Sequence, residues 1–283
     1  CKGVMVLEHK LIGGLTNIDT KIIYDVYEIP PYDTYYNSNY SGRKTPDSYH
    51  YEMVRCNKCE VLYASAIYSE SILETLYSIS DFPYIEEIPG LKLTYKSCLN
   101  QATEYIKDKI NFLDIGCGNG FMLEVAYEIG WSNPVGVEPS LKAIEMAKPQ
   151  VKKNIINKTF DANDFNKNFF DVIFCAMILE HVSDINKFLK KIKSILKPGG
   201  IIIAVTHDEG HILARLLKNK HPIINDEHAY VFSSKSLNKI FKKHDYSIKK
   251  ISKLKNIYTI KYWLGMVPIF KGLISIFSSI LDK

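Results

Sequence analysis

An α/β fold built on a parallel sheet is predicted from three observations. From about residue 90 to 260 the chain alternates strand-like and helix-like segments, the pattern of βαβ units. The strand candidates "INFLDI", "FFDVIFC" and "IIIAVT" are apolar on both faces, as strands covered by helices on either side must be. The chain has 283 residues with 46% hydrophobic and 24% charged content, enough to bury one sizeable α/β core with an appendage.

The elements follow in order. "INFLDI" is a buried strand, and "GFMLEVAYEIG" is a helix closed by Gly130. "PVGVE" is a second strand, and Ser140 after it is an N-cap for "LKAIEMAK". "IINKTF" is a third, weaker strand and "FFDVIFC" a fourth. In "DINKFLKKIKSILK" the residues Ile185, Phe188, Leu189, Ile192, Ile195 and Leu196 recur at helical spacing, with lysines opposite. Pro198 ends that helix, and "IIIAVT" is the fifth strand. The stretch "SSKSLNKIFKKHDYSIKKISKLKNIYTIKYW" supplies a helix and two further strand candidates. Upstream, residues 1 to about 80 are rich in Tyr and turn formers and show no helical period before "SESILETLY". The expected division is an N-terminal module (1–80), the α/β domain (81–262) and a C-terminal helix (263–283).

The net charge of +5 rests almost wholly on lysine, because Arg43, Arg55 and Arg215 are the only arginines among 36 basic residues. Nucleic-acid readers lean on Arg for bidentate contacts, so this balance is a weak sign of a nucleic-acid partner. The opening "CKGVMVLEHK" has the wrong order of charge and apolar residues for a secretory leader, and its initial Cys suggests a trimmed N-terminus. Six cysteines in a chain this long do not make a disulfide scaffold, and a cytoplasmic setting is expected.

The glycines of "LDIGCGNG", Gly116, Gly118 and Gly120, allow backbone to approach a ligand closely. They do not match a dinucleotide fingerprint, because the third glycine comes one residue early. No G-K-[ST] follows, so a phosphate loop is excluded too. Asp114 stands directly before the loop and would repel a pyrophosphate. A zwitterionic amino-acid group beside a sulfonium suits both this acid and the helix N-terminus that follows. Glu138 ends the next strand, where an acid can accept two hydrogen bonds from a ribose diol.

Taken together, "LDIGCGNG" (113–120), "GVEPS" (136–140), "FDANDF" (160–165), "FDVIFCAMILEHV" (170–182) and "LKPGGIIIAVT" (196–206) resemble the class I S-adenosylmethionine (SAM)-dependent methyltransferases in motif and order. The resemblance implies a Rossmann-like, doubly wound, seven-stranded sheet with one antiparallel strand. It also implies a cofactor held by Asp114, Gly116, Cys117, Gly118 and Gly120. It further implies Glu138 on the ribose, Asp161 and Ala162 at adenine, and Cys175 and Ala176 at the methionine moiety. "YEMVRCNKCEVLYA" (51–64) resembles the second zinc knuckle found upstream of one methyltransferase subgroup, and "DEHAYVFSSKSLNKIFKKHDYSIKKI" (226–251) resembles its lid and helix. That subgroup includes enzymes acting on sugars and other small metabolites.

Cys56 and Cys59 are half of a thiolate zinc site. Cys1, in a knuckle-like "CKG", is a third ligand on this reading; His9 or His50 could complete the set, and free thiols on a hairpin are the alternative. Methyl transfer to a hydroxyl or ammonium needs a base. Candidate bases are His181, His207, His211 and His228, with His181 and His228 ahead. Some relatives hold a divalent cation with Glu-x-x-Glu-His. Here Met177 takes the first place, leaving Glu180 and His181, a poor set for Mg²⁺.

The function expected is methyl transfer from SAM to a small molecule or saccharide. An RNA or protein methyltransferase that docks through the zinc module, and a SAM-binding protein without catalysis, are the alternatives. In the tail "YWLGMVPIFKGLISIFSSIL" (262–281), Pro268 and Lys271 interrupt any span. Its apolar residues from Ile269 to Leu281 form one helical stripe, suited to packing on the chain or to peripheral membrane contact. Oligomeric state is left open.

Overall fold

The computed structural model describes residues 50–259 except 83 and 256, and the backbone alone of 5–7 and 20–24. The side chain of residue 213 is likewise not described. The stretches holding Cys1, His9 and the 263–283 helix lie outside the described residues.

The central sheet has five parallel strands: β6 (Asn111–Ile115), β7 (Asn133–Glu138), β8 (Ile155–Asn157), β9 (Phe170–Ala176) and β10 (Leu196–Val205). Their order is β10-β9-β6-β7-β8. The order reverses direction between β6 and β9, and in doubly wound sheets ligands bind at the carboxyl ends beside that switch. Seven strands are implied by the family resemblance; residues 246–255 and 257–259 form no strand, so the described sheet stops at five.

The crossovers β6–β7, β7–β8 and β9–β10 carry α-helices, whereas β8–β9 carries only a short 3-10 turn at Ala162–Asp164. Gly120, at φ +73°, opens α3 (Phe121–Glu128). The Ser140 hydroxyl accepts from Ala143 N–H at α4 (Leu141–Glu145), and the Asp184 carboxylate accepts from Asn186 and Lys187 N–H at α6 (Ile185–Ile195). Between α4 and β8 lies the short α5 (Pro149–Lys152). On α6 the buried residues are Ile185, Phe188, Leu189, Ile192 and Ile195, the stripe that the 3.6-residue period predicts. After α6 the segment Pro198-Gly199-Gly200 does not end in a free loop. It forms a bulge inside β10, where the pairing with β9 shifts register between Leu196 and Ile201, with Gly199 at φ +80°.

The described residues from 50 to 80 pack against this sheet. β3 (Met53–Cys56) and β4 (Leu62–Ala64) form an antiparallel sheet with β2 (Thr20–Tyr24) and with β11 (Tyr230–Val231), which comes from beyond the central strands. β1 (Met5–Leu7) pairs in parallel with β5 (Ala66–Tyr68). Met53, Leu62, Ala64 and Leu76 belong to the same buried cluster as Leu113, Ile173, Leu189 and Phe232. The Arg55 guanidinium adds a two-pronged ion pair to Glu209, with both N–O distances 2.7 Å. The helix α1 (Glu70–Ile79), capped by Ser69, runs from this small sheet to the wall of the central cavity. α2 (Ile88–Thr103) packs against α3. The short α7 (Ile212–Leu217) follows β10, and α8 (Ser234–Lys243) follows β11 with a Ser233–Ser236 capping box.

Candidate active site

A cavity of about 1240 Å³ opens at the carboxyl ends of the central strands. One drug-sized ligand needs roughly 300–1,000 Å³, so this space is sufficient for a cofactor with an acceptor beside it. Glu138, Asp161, Asp114, Gly116 and Ala176 line it, and so do His181, His207 and His228.

All three loop glycines take positive φ, and a Cβ on any of them would meet a protein side chain. Gly116 sits at φ +71°, and a Cβ there would stand 2.2 Å from the Ile178 side chain. Gly118, at φ +55°, is covered by Phe82 and Tyr84, residues that sequence reasoning did not single out. Both also line the cavity. Gly120 faces Ile155 and Val151, so its role is to turn the chain into α3 and pack against the sheet.

Glu138 is buried, and its two oxygens already accept backbone N–H groups, Gly118 on Oε2 and Ser140 on Oε1, each at 2.8 Å. The carboxylate is therefore held in one orientation, with lone pairs left for a diol. Burial raises its affinity for a proton, and the two N–H groups oppose that shift. Burial pushes Asp114 well above the usual carboxylate range, and the neighbouring Glu138 adds to it. A positively charged ligand group would reverse this shift by supplying the missing counter-charge.

Asp161 lines the cavity with Lys191 3.5 Å away, and Ala162 is buried next to it. Along β9 the side chains alternate. Phe174 and Ala176 line the cavity, while Cys175 points to the opposite face and is fully buried in the larger cluster. The Cys117 thiol packs on Gly136, where a Cβ would come within 2.5 Å of it.

Beyond β9 the chain turns sharply. Met177 adopts φ +56°, unusual for a side chain of its size, and its N–H binds the Val205 carbonyl at 2.7 Å. This turn carries Glu180 and His181 to the end of β10. His181 and His228, paired only as candidates in the sequence, are in contact, with ring centroids 4.8 Å apart. His207 stands 5.2 Å from His228, and Tyr77 meets His181 edge-on at 6.0 Å. Burial holds His181 well below the ordinary histidine range, and the neighbouring His228 and His207 push the same way. Its Nδ1 lies 3.1 Å from the Glu227 carbonyl, and Nδ1 of His228 lies 2.8 Å from the Ile223 carbonyl. A carbonyl only accepts, so both rings carry the proton on Nδ1 and keep the lone pair on Nε2.

Glu180 is almost wholly buried, and neither of its oxygens has a hydrogen-bond partner of good geometry. The buried Thr206 hydroxyl nearby is in the same condition. Burial raises the Glu180 carboxyl to about 7. One donor atom each from Glu180, His207 and His228 lies within 4.8 Å of the others. No spacing in the sequence signals this trio, because it draws on three separate connections.

At the N-terminal pair, Cys59 N–H points to Cys56 Sγ at 3.5 Å across a turn in which Glu60 takes φ +63°. Cys59 is disulfide-bonded, whereas Cys56 is not part of a disulfide. His50 is buried, with Nδ1 2.9 Å from the Tyr51 carbonyl.

A five-stranded parallel core, a glycine loop between two acids and a cavity at the switch point are the features of a doubly wound fold suited to a nucleoside ligand. The chain belongs to the methyltransferase-domain family, whose characteristic sequence matches residues 91–251. Among curated relatives it is similar to the ubiquinone biosynthesis O-methyltransferase of Pelagibacter ubique (strain HTCC1062), with 39% identity over 101 residues, 34% of this chain and 42% of that protein. The protein of the same name from Bradyrhizobium sp. (strain ORS 278) is 32% identical over 43% of this chain and 52% of its own length. The ribosomal protein L11 methyltransferase of Dictyoglomus turgidum is 28% identical over 50% of this chain and 51% of its own length. The chain thus spans about half the length of the curated relatives it matches. Among solved structures it is similar to a SAM-dependent methyltransferase from Archaeoglobus fulgidus, at 17% identity, covering 71% of this chain and 92% of that one with a TM-score of 0.46. It is also similar to the plantazolicin methyltransferase BpumL in complex with SAH, at 19% identity, covering 69% and 78% with a TM-score of 0.48.

Proposed function

We propose that this methyltransferase modifies a hydroxyl, amine or carbon of a small molecule or saccharide, with His181 as the base. The observation that carries the reading is the single cavity joining the glycine loop to the histidine cluster. For a hydroxyl acceptor the reaction balances as follows. An acceptor lone pair forms the new bond to the methyl carbon. The carbon–sulfur bond breaks, with its electron pair returning to sulfur, and the hydroxyl proton passes to His181 Nε2. Two relatives named for ubiquinone biosynthesis favour an O-methylated small molecule, whereas the relative named for a ribosomal protein keeps a protein acceptor as the rival. The test is transfer of labelled methyl to nucleotide sugars, glycan extracts, phenolic small molecules and total RNA. Label in RNA or protein alone would overturn the small-acceptor reading, and cofactor binding without any product would mark a non-catalytic SAM-binding protein.

The same reading has the enzyme at work in a reducing cytoplasm with structural zinc at the Cys56–Cys59 turn. The N–H of Cys59 directed at Cys56 Sγ is what a thiolate ligand requires, although zinc needs Cys59 reduced. Reduced protein carrying about one zinc per chain, lost in Cys56→Ser, is the expected result. A second reading concerns α7, whose Leu217 lines the cavity. Ile212 and Leu216 on α7 are 68% and 71% exposed, flanked by Arg215, Lys218 and Lys220. An apolar face ringed by cations suits an anionic bilayer and a lipid-linked acceptor. Co-flotation with anionic liposomes, reduced by Ile212→Ser with Leu216→Ser and by removal of residues 264–283, would support it; no flotation would overturn it.

A further inference from the structure

We infer that Glu180, His207 and His228 form a binding site for a divalent transition-metal cation of the zinc, cobalt or iron(II) type at the acceptor end of the cavity. This deepens the proposed function and rests on it only for the metal's role. The site itself stands on three observations. The donor atoms of the three side chains converge within 4.8 Å of one another. Glu180 is 1% exposed, and neither of its oxygens has a hydrogen bond of good geometry, a costly condition for a buried carboxylate unless a cation completes it. The Nδ1 of His228 is committed to the Ile223 carbonyl, the outer contact that orients a metal-binding imidazole and leaves Nε2 to donate.

The donor set chooses the cation. Two imidazoles and one carboxylate suit zinc, cobalt or iron(II), whereas Mg²⁺ prefers an all-oxygen shell. Met177 in place of a carboxylate therefore argues against Mg²⁺ and not against metal as such. Three protein ligands leave positions open toward the cavity, which His207 and His228 line. An acceptor oxygen could occupy such a position, beside the lone pair of His181. The ligands come from separate connections: Glu180 from the turn after β9, His207 from the end of β10, and His228 from the residues before β11.

The test uses the full chain, dialysed against EDTA and titrated with Co²⁺, followed by visible absorption and calorimetry. The expected result is one Co²⁺ per chain with weak d–d bands and no intense thiolate charge-transfer band, which separates this site from Cys56 and Cys59. Glu180→Gln and His207→Ala should each weaken Co²⁺ binding at least about tenfold, since even outer-shell changes cost about 10–100-fold. Cys56→Ser should leave it unchanged, and millimolar Mg²⁺ should not compete. Calorimetry with S-adenosylhomocysteine (SAH) and circular dichroism verify that each variant is folded; because His207 is less buried than Glu180, its variant keeps the test valid if Glu180→Gln misfolds. Absence of Co²⁺ binding, a thiolate spectrum, or unchanged affinity in folded His207→Ala would overturn the site. Loss of SAH binding by the parent chain would instead count against the methyltransferase reading.

Discussion

At the residue scale the cofactor end turns on two buried acids. Glu138 is fixed by Gly118 and Ser140 N–H groups, so its loss orphans two donors and, on the proposed reading, removes a ribose acceptor. Glu138→Ala should weaken SAH binding by about 1–3 kcal/mol in calorimetry, and unchanged affinity would place the ribose elsewhere. Asp114 carries a folded-state pKa raised first by burial and then by Glu138. An acid raised in the folded state binds more protons folded than unfolded. Its contribution therefore lowers stability as pH climbs from the ordinary carboxylate range through the raised folded value. Asp114→Asn should raise the melting temperature of the ligand-free protein at neutral pH, flatten its decline with pH, and weaken SAH binding. A variant that melts lower at every pH would show that Asp114 is held by partners rather than strained by burial. The acids and glycines of this end were legible in the sequence because they lie within short, ordered motifs.

At the element scale the helices behave as their patterns predict. Leu189, fully buried on α6, should cost about 2–5 kcal/mol in urea unfolding when changed to Ala, whereas the exposed Lys190→Ala should stay within about 0.5 kcal/mol. Strand alternation explains why Ala176 reaches the cavity and its neighbour Cys175 does not, a distinction that a motif match on adjacent residues does not make. The link between β3 and the segment after β10 was not legible, because Arg55 and Glu209 are 154 positions apart. Their side chains are 32% and 15% exposed, so solvent screens the pair. Arg55→Ala should cost only about 1 kcal/mol, while speeding proteolysis near residues 206–212. Unaltered cleavage would mean that β11 alone holds this segment.

At the scale of the whole molecule, residues 51–76 and the methyltransferase domain share one core. Tyr51, Met53 and Leu62 pack in the same cluster as Leu113, Leu189 and Phe232. Residues 65–283 expressed alone would expose that cluster and lose the partner of β11. The expected outcome is a fragment that lacks a cooperative thermal transition and does not bind SAH. A cooperative melt with retained binding would instead make the N-terminal segment a separable module.

By itself the sequence determined the parallel sheet and the order of its strands and helices along the chain, and it pointed to a SAM-type cofactor and to the acids proposed to hold it. Those properties are written in periodicity and in contiguous motifs, where each residue's neighbours along the chain are also its neighbours in space. Only the tertiary structure decided the acceptor end. There, loops following separate strands bring Glu180, His207 and His228 together, and β11 from beyond the sheet closes on strands from the N-terminal segment. Convergence of that kind depends on how the sheet twists and where each loop leaves it, and long-range geometry of that sort has no local pattern in the chain.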